Sequence, residues 1–318
     1  MNQLEQLSKM TVVVADSGDI AAIQQLQPTE ATTNPSLILQ ASQQAEYQHL
    51  LHSALKSSAL KGNENDIAAA CEQVTVNFGC EILRHIPGRV STEIDARLSF
   101  DTEASVSKAL SIIGRYKAAG VDSSRVLIKL AATWQGIQAA ARLEKLGIHC
   151  NLTLIFSLAQ AKACADAGVT LISPFVGRIL DWYKQNQPEQ DFSGDKDPGV
   201  MSVKTIYNHY KSHGIPTVVM GASFRNVDQI RQLAGCDLLT IAPNLLLQLK
   251  DSTDPLPAAL QPHTTQSPDA PKALSQAEFL WQLNEDAMAT EKLAEGIRKF
   301  AVDQHKLEQL LQNLIQQP

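Results

Sequence analysis

Val126-Leu-Ile-Lys-Leu-Ala131 alternates as a β-strand does, yet its fourth residue is a lysine. Lysines are rarely buried, because taking an ammonium out of water is costly. Here Lys129 is flanked by residues that favour burial, and Thr133-Trp-Gln-Gly136 follows at once. Such a lysine is either an edge residue reaching for solvent or an amine put to use. Desolvation disfavours an ammonium in general, and a neutral amine can attack a ketone to form a Schiff base.

Outward from this stretch the chain repeats strand, turn, helix and glycine. Strands are expected at Thr11–Asp16, from Ala31 to Asn34, at Arg89–Asp95, at the lysine strand, and then at Cys150–Phe156, Leu171–Gly177, Pro216–Ser223 and Leu238–Pro243. Between them lie helical stretches, among them Ile20 to Gln27, Ser36 to Ala70 with a break near Gly62-Asn63, Thr102 to Ala119, Trp134 to Leu146 and Ser157 to Ala167. Eight such units predict an α/β fold, a (β/α)8 TIM barrel, with residues 1–318 as one domain. Two stretches fall outside the repeat. Residues 251–271 are proline-rich and read as an irregular excursion. The tail from about 286 to 316 reads as a further helix, its stripe of Leu307, Leu310, Leu311 and Leu314 suited either to packing on the barrel or to a subunit contact.

Composition narrows the function classes. Of 318 residues 44% are hydrophobic and 19% charged, with a formal net charge of −6. With no basic run, a nucleic-acid surface is not expected. The opening Met1-Asn-Gln-Leu-Glu-Gln lacks a basic, apolar leader, and no apolar run is long enough for a bilayer, so no membrane role and a cytoplasmic location are expected. Five cysteines, an odd number without CxxC spacing, suit reduced thiols better than disulfides or zinc. His209 and His213 have i,i+4 spacing but sit in a polar helix, and a solvated face is expected there, not a metal pair. No glycine-rich nucleotide loop is present.

Strand parity locates the polar residues. Leu127, Lys129 and Ala131 share one face; Val126, Ile128 and Leu130 share the other, which is uniformly apolar and should meet the helices. Lys129 therefore points into the barrel. By the same reading Glu93 shares a face with Ser91 and Asp95, Asn151 with Thr153, Asp16 with Val12 and Val14, Asn34 with Thr32, and Ser173 with Phe175. Barrel interiors are normally filled with branched apolar side chains, and chemistry sits at the C-terminal ends of the strands. Polar groups gathered there suggest a site. An amine at Lys129 would form an iminium that acts as an electron sink for breaking a carbon–carbon bond. Asp16 or Glu93 could be the base, and a hydroxyl such as Thr153 could hold a water. Arg178 and Arg225, just beyond later strands, suit a phosphate dianion.

These residues fall within motifs of a known family. Val14-Ala-Asp-Ser-Gly-Asp19, Ala31-Thr-Thr-Asn-Pro-Ser36, the lysine strand with Thr133-Trp-Gln-Gly136, Asn151-Leu-Thr-Leu154, Ile172-Ser-Pro-Phe-Val-Gly-Arg178, Met220-Gly-Ala-Ser-Phe-Arg225 and Leu239-Thr-Ile-Ala-Pro243 resemble the transaldolase family in its longer bacterial and eukaryotic form. The tail Leu293-Ala-Glu-Gly-Ile-Arg-Lys-Phe300 is similar too, so the resemblance covers essentially the whole chain. It implies that Lys129 is the Schiff-base lysine, that Asp16 is the acid/base of aldol cleavage and addition, and that Glu93 and Thr153 handle the water of imine formation and hydrolysis. It implies further that Asn34, Asn151 and Ser173 hold the donor's hydroxyls, that Arg178, Ser223 and Arg225 take the phosphate, and that Thr32 and Phe175 line the pocket.

The implied reaction moves a dihydroxyacetone unit from sedoheptulose 7-phosphate to glyceraldehyde 3-phosphate, without metal or organic cofactor, in the non-oxidative pentose phosphate pathway. A homodimer is expected from the family. Ser17, Glu30 and Ala141 depart from the common pattern, but none is expected to be an inward strand residue. The alternatives are a Schiff-base fructose 6-phosphate aldolase, which releases its donor unit to water, and a non-catalytic sugar-phosphate-binding barrel.

Overall fold

The computed structural model describes residues 1–57, 64–261 and 272–316. Eight strands, β1 (Val12–Asp16), β2 (Glu30–Thr32), β3 (Val90–Glu93), β4 (Val126–Ala131), β5 (Cys150–Ile155), β6 (Leu171–Pro174), β7 (Val218–Gly221) and β8 (Leu238–Ile241), close into a barrel. Neighbours pair in parallel, and β8 returns to β1 with Val14 opposite Thr240. The helices are α1 (Gln3–Leu7), α2 (Ile20–Leu26), α3 (Pro35–Ser42), α4 (Gln48–Ser57), α5 (Glu64–Leu83), α6 (Thr102–Ala118) and α7 (Trp134–Lys145). They continue as α8 (Leu158–Asp166), α9 (Gly177–Asn186), α10 (Pro198–Ser212), α11 (Val227–Arg231), α12 (Pro243–Asp251), α13 (Gln276–Glu285) and α14 (Ala287–Gln316). The expected (β/α)8 TIM barrel with added helices is the architecture found.

Local chemistry explains the alternation. Short polar side chains cap the helices that leave the strand tops: Asp19 accepts from the Ala22 N–H, Asn34 from Leu37, Thr133 from Gly136 and Ser157 from Gln160. At the far end of α7, Gly147 takes φ +74°, a left-handed turn that releases the chain into β5. The strands' outward faces, including Val126, Ile128 and Leu130, join one large core with the surrounding helices. Inside the barrel, Val14, Leu127, Leu171, Met220 and Leu238 form a separate apolar cluster. It is the floor on which the polar upper half rests.

Several expectations need correction. The second strand ends at Thr32, and Asn34 is the N-cap of α3. The Ser36 to Ala70 stretch divides into α3, a 3-10 turn, α4 and the start of α5, and the expected break at Gly62-Asn63 lies outside the described residues. The alternation of β5 holds only as far as Thr153: Leu154 sits at φ +56°, and the pairing with β6 shifts register between Leu152 and Ile155. Residues 252–261 are irregular, as expected, while 262–271 lie outside the described residues.

The leucine stripe of α14 is used within the chain: Leu307 and Leu311 are buried in the main core, and Leu310 and Leu314 pack against it. Its reading as a subunit contact is therefore not supported. The earlier turns of α14 cross the C-terminal mouth of the barrel, where Met288, Leu293, Ile297 and Phe300 cluster with Leu154, Phe156 and Phe175. The rings of His209 and His213 lie 4.4 Å apart and half-buried, not fully solvated. Among the described residues no helix is long and apolar enough to cross a membrane.

Candidate active site

Register brings the lysine strand's neighbours to one level. Glu93 of β3 and Asn151 of β5 lie directly opposite Lys129, and Thr153 lies opposite Ala131. Lys129 is 4% exposed, so it does not reach for solvent. Its Nζ donates to the Thr33 carbonyl (3.1 Å) and stands 3.0 Å from the Glu93 Oε2. That second contact is a buried ion pair. Beyond Lys129 the buried Glu93 Oε2 has no partner among the described residues, and the buried Thr153 Oγ1 has none at all there. Buried polar atoms seldom go unpaired unless function asks for it.

Across the barrel, Asp16 ends β1. Thr32 donates to the Asp16 Oδ1 (3.0 Å), and the Thr32 hydroxyl lies 2.6 Å from that of Thr240. Thr32 has one proton and gives it to Asp16, so Thr240 is the donor of the second bond. Burial pushes the Asp16 carboxyl above its ordinary range, against the opposing pull of the Lys129 charge. Glu93 is raised for the same reason, again with Lys129 as the main counterweight. Two carboxyls whose charged forms are disfavoured in this way are suited to proton transfer.

Beside the lysine, Ser173 donates to the Asn151 Oδ1 (2.6 Å), and the Asn151 Nδ2 donates to Ser91 (3.0 Å). Asn151 is completely buried and holds the Ser173 hydroxyl. The open pocket above, about 360 Å³ including the part shared with solvent, is lined by Asp16, Thr32, Asn34, Lys129, Thr153 and Ser173. Phe175, Arg178, Ala222, Ser223 and Thr240 complete its wall. Glu93, Asn151 and Arg225 are the expected site residues that do not line it.

The rim on the β6–β7 side is basic. Arg178, at the start of α9, lies over the rings of Phe175 (5.0 Å) and Phe300 (5.4 Å). Among the described residues no carboxylate lies within 4 Å of it. Burial, then the charge of Arg225, lowers its pKa. Arg225 itself forms a two-oxygen ion pair with Asp181, its closest contact 2.7 Å. Ser223 adopts φ +62°, and its carbonyl accepts from the Gly177 N–H at 2.6 Å. A side chain at Gly177 would strike that carbonyl and Arg225, so the glycine sets how closely this loop meets the start of α9. A helix N-terminus beside two guanidinium groups is a setting for a phosphate.

Sequence reasoning missed Thr240 and Ala222. Parity along β8, with Leu238 inward, points to Thr240 two residues on; the Thr33 carbonyl that receives the lysine carries no sequence signal.

A buried lysine between carboxyls at the mouth of a (β/α)8 barrel, with a basic rim, is the arrangement of a barrel enzyme able to work through a lysine imine on a phosphorylated carbonyl compound. Residues 13–311 match the family model described as transaldolase/fructose-6-phosphate aldolase. The chain is 58% identical to Transaldolase 1 of Pectobacterium atrosepticum over 98% of its own length and 99% of the relative's. It is 57% identical to Transaldolase A of Pasteurella multocida over 97% and 98%, and 55% identical to Transaldolase A of Escherichia coli K12 over 98% and 99%. The chain belongs to the transaldolase/fructose-6-phosphate aldolase family.

Proposed function

We propose that this chain is a transaldolase that carries a dihydroxyacetone unit on Lys129 from sedoheptulose 7-phosphate to glyceraldehyde 3-phosphate, leaving erythrose 4-phosphate and forming fructose 6-phosphate. The observation that carries the reading is the buried Lys129 amine, 3.0 Å from the Glu93 carboxylate, in a pocket also lined by Asp16.

Lys129 as a neutral amine attacks the ketone carbon, and the carbinolamine loses water with Glu93 supplying and removing protons. Thr153 helps to hold that water. The iminium draws electrons from the bond between donor carbons 3 and 4 as Asp16 takes the proton of the hydroxyl on carbon 4. The aldose phosphate leaves, and the three-carbon unit stays on Lys129 as an enamine. An incoming aldehyde is attacked in the reverse sense, Asp16 returning its proton to the new alkoxide. Hydrolysis then frees the lysine. Asn34, and Ser173 held by Asn151, bind donor hydroxyls; Thr32 and Phe175 shape the pocket; Arg178, Ser223 and Arg225 bind phosphate, Arg225 exchanging Asp181 for it. The electron sink is the lysine imine, so the scheme uses no metal and no organic cofactor.

The family also includes fructose 6-phosphate aldolases. The relatives' names, at 55–58% identity over 98% of the chain, favour transfer over release to water. We further propose one barrel domain over residues 1–318, a homodimer and a cytoplasmic location, all supported by the family likeness alone.

Borohydride reduction with fructose 6-phosphate, followed by peptide mass mapping, tests the mechanism. A covalent three-carbon adduct is expected on Lys129. In Lys129→Ala it should be absent, with activity reduced by about 10⁴-fold or more. An adduct elsewhere, or none, sinks the reading. Sedoheptulose 7-phosphate formed on adding erythrose 4-phosphate separates transferase from aldolase.

A further inference from the structure

Glu93 lines a second cavity, distinct from the substrate pocket. Its other walls include Cys71 and Thr75 of α5, Lys108 of α6, Asp95 just after β3 and Gln304 of α14. At one end Glu93 and Cys71 are buried; at the other Asp95, Lys108 and Gln304 are half-exposed, so the cavity runs from the protein surface to the catalytic level. Its volume is about 40 Å³. One water needs roughly 10–15 Å³, and polar partners besides. The carboxylates of Glu93 and Asp95, the Thr75 hydroxyl and the Gln304 amide supply such partners. The Glu93 Oε2 is buried, and the Lys129 ammonium, 3.0 Å away, is its one partner among the described residues.

We propose that this cavity is the solvent path of the imine step, delivering water to Glu93 and draining it from there without passing through the substrate mouth. The inference rests on the Schiff-base reading of Lys129. Forming the imine expels one water, and hydrolysing it consumes one. At hydrolysis the mouth holds the finished ketose phosphate, whose bulk lies between Lys129 and the solvent beyond α14. Water entering by the mouth would also meet the waiting three-carbon enamine, which a transferase has to keep for an aldehyde. A path ending on Glu93 meters water to the group that activates it.

In the hydrolysis, the water oxygen bonds to the iminium carbon while one of its protons passes to Glu93. That proton is handed to the nitrogen, the carbon–nitrogen bond breaks, and the remaining hydroxyl proton ends on the departing amine. The products are the ketone, carrying the water oxygen, and the lysine as its ammonium. Thr75 and Gln304 are positioning residues in this step; they act through the water.

The test fills the cavity from two helices. Ala68, half-exposed on α5, also lines it, as does Gln304. Ala68→Phe and Gln304→Trp each block the path and touch no catalytic group; Ala68→Ser leaves it open. The readout is loss of ¹⁸O from carbon 2 of labelled fructose 6-phosphate into water, beside the amount of Lys129 adduct trapped by borohydride at equilibrium. Exchange should fall about tenfold or more in both blocked variants and stay at the wild-type rate in Ala68→Ser. The trapped amount should not change, because a narrowed path slows formation and hydrolysis alike. Wild-type exchange in a folded blocked variant overturns the proposal. So does a smaller equilibrium adduct accompanying slower exchange, which would mark a displaced Glu93. No adduct in the wild-type enzyme would instead overturn the Schiff-base reading, so the two failures are distinguishable.

Discussion

The two halves of the barrel interior are made by the same strands, yet they obey different rules. Leu127 and Lys129 lie two residues apart on one face of β4, 1% and 4% exposed. Around Leu127 the inward residues are Val14, Leu171, Met220 and Leu238. Around Lys129 they are Asp16, Thr32, Thr153, Ser173 and Thr240. Burial is therefore not what separates core from site. The lower half joins apolar surfaces that leave water together, which stabilises the closed barrel. The upper half keeps charge and hydroxyls in a place where each is less favourable than in water, and the Thr153 hydroxyl persists there unpartnered among the described residues. Stability is made at one end of each strand and spent at the other.

The sharpest way to break this contrast is Asp16→Asn. The amide cannot take the proton of the bond-breaking step, and kcat should fall by about 10²–10⁴-fold. Stability should move the opposite way. Burial raises the native pKa of Asp16, so between the ordinary carboxyl value near 4 and the raised one the native state holds more protons than the unfolded state. Stability contributed by this residue is then lost as pH rises through that window. At neutral pH the asparagine variant should melt about 1–3 °C higher, and the gain should vanish below about pH 4, where the acid is protonated in both states. A lower melting temperature at neutral pH would show that Asp16 is a structural carboxylate.

Leu127→Ala is the mirror experiment on the floor. It should cost about 2–5 kcal/mol of unfolding free energy, read by denaturant titration. The kcat of the folded fraction should stay close to wild type, because the cavity opens below the reacting layer. A large loss of kcat with little loss of stability would erase the division between the halves.

How much of this was legible depended on whether strand parity survived in the fold. It survives in β3 and β4 and as far as Thr153 in β5, so Lys129, Glu93, Asn151 and Thr153 could be assigned inward from alternation alone. It fails at Leu154, where a left-handed residue resets the register, and no local feature of the sequence announces that. Asn34 shares the alternation of the short second strand, yet Pro35 at the first helical position marks it as the cap, and the cap's hydrogen bond decides. The pairing of Arg225 with Asp181 joins residues from two separate units, and the ion pair of Glu93 with Lys129 joins two strands. Such facts belong to the closed barrel. The leucine stripe of α14 shows the same limit, since an amphipathic face does not name what covers it.

The smallest effect tests whether the upper half works as a network. Thr240 donates to Thr32, which donates to Asp16. A hydroxyl that receives a hydrogen bond is a better donor, so Thr240 strengthens the bond that favours the charged form of Asp16. Thr240→Val keeps the shape and removes the donor. With a net hydrogen bond worth roughly 0.5–1.5 kcal/mol, kcat should fall about 2–10-fold. The acid limb of the pH–rate profile should move upward, because Asp16 loses part of what holds its pKa down. Thr240→Ser should restore both. If valine lowers kcat with the acid limb unmoved, Thr240 merely packs against the pocket, and the apolar rule of the floor extends one layer higher than the geometry of its hydroxyl suggests.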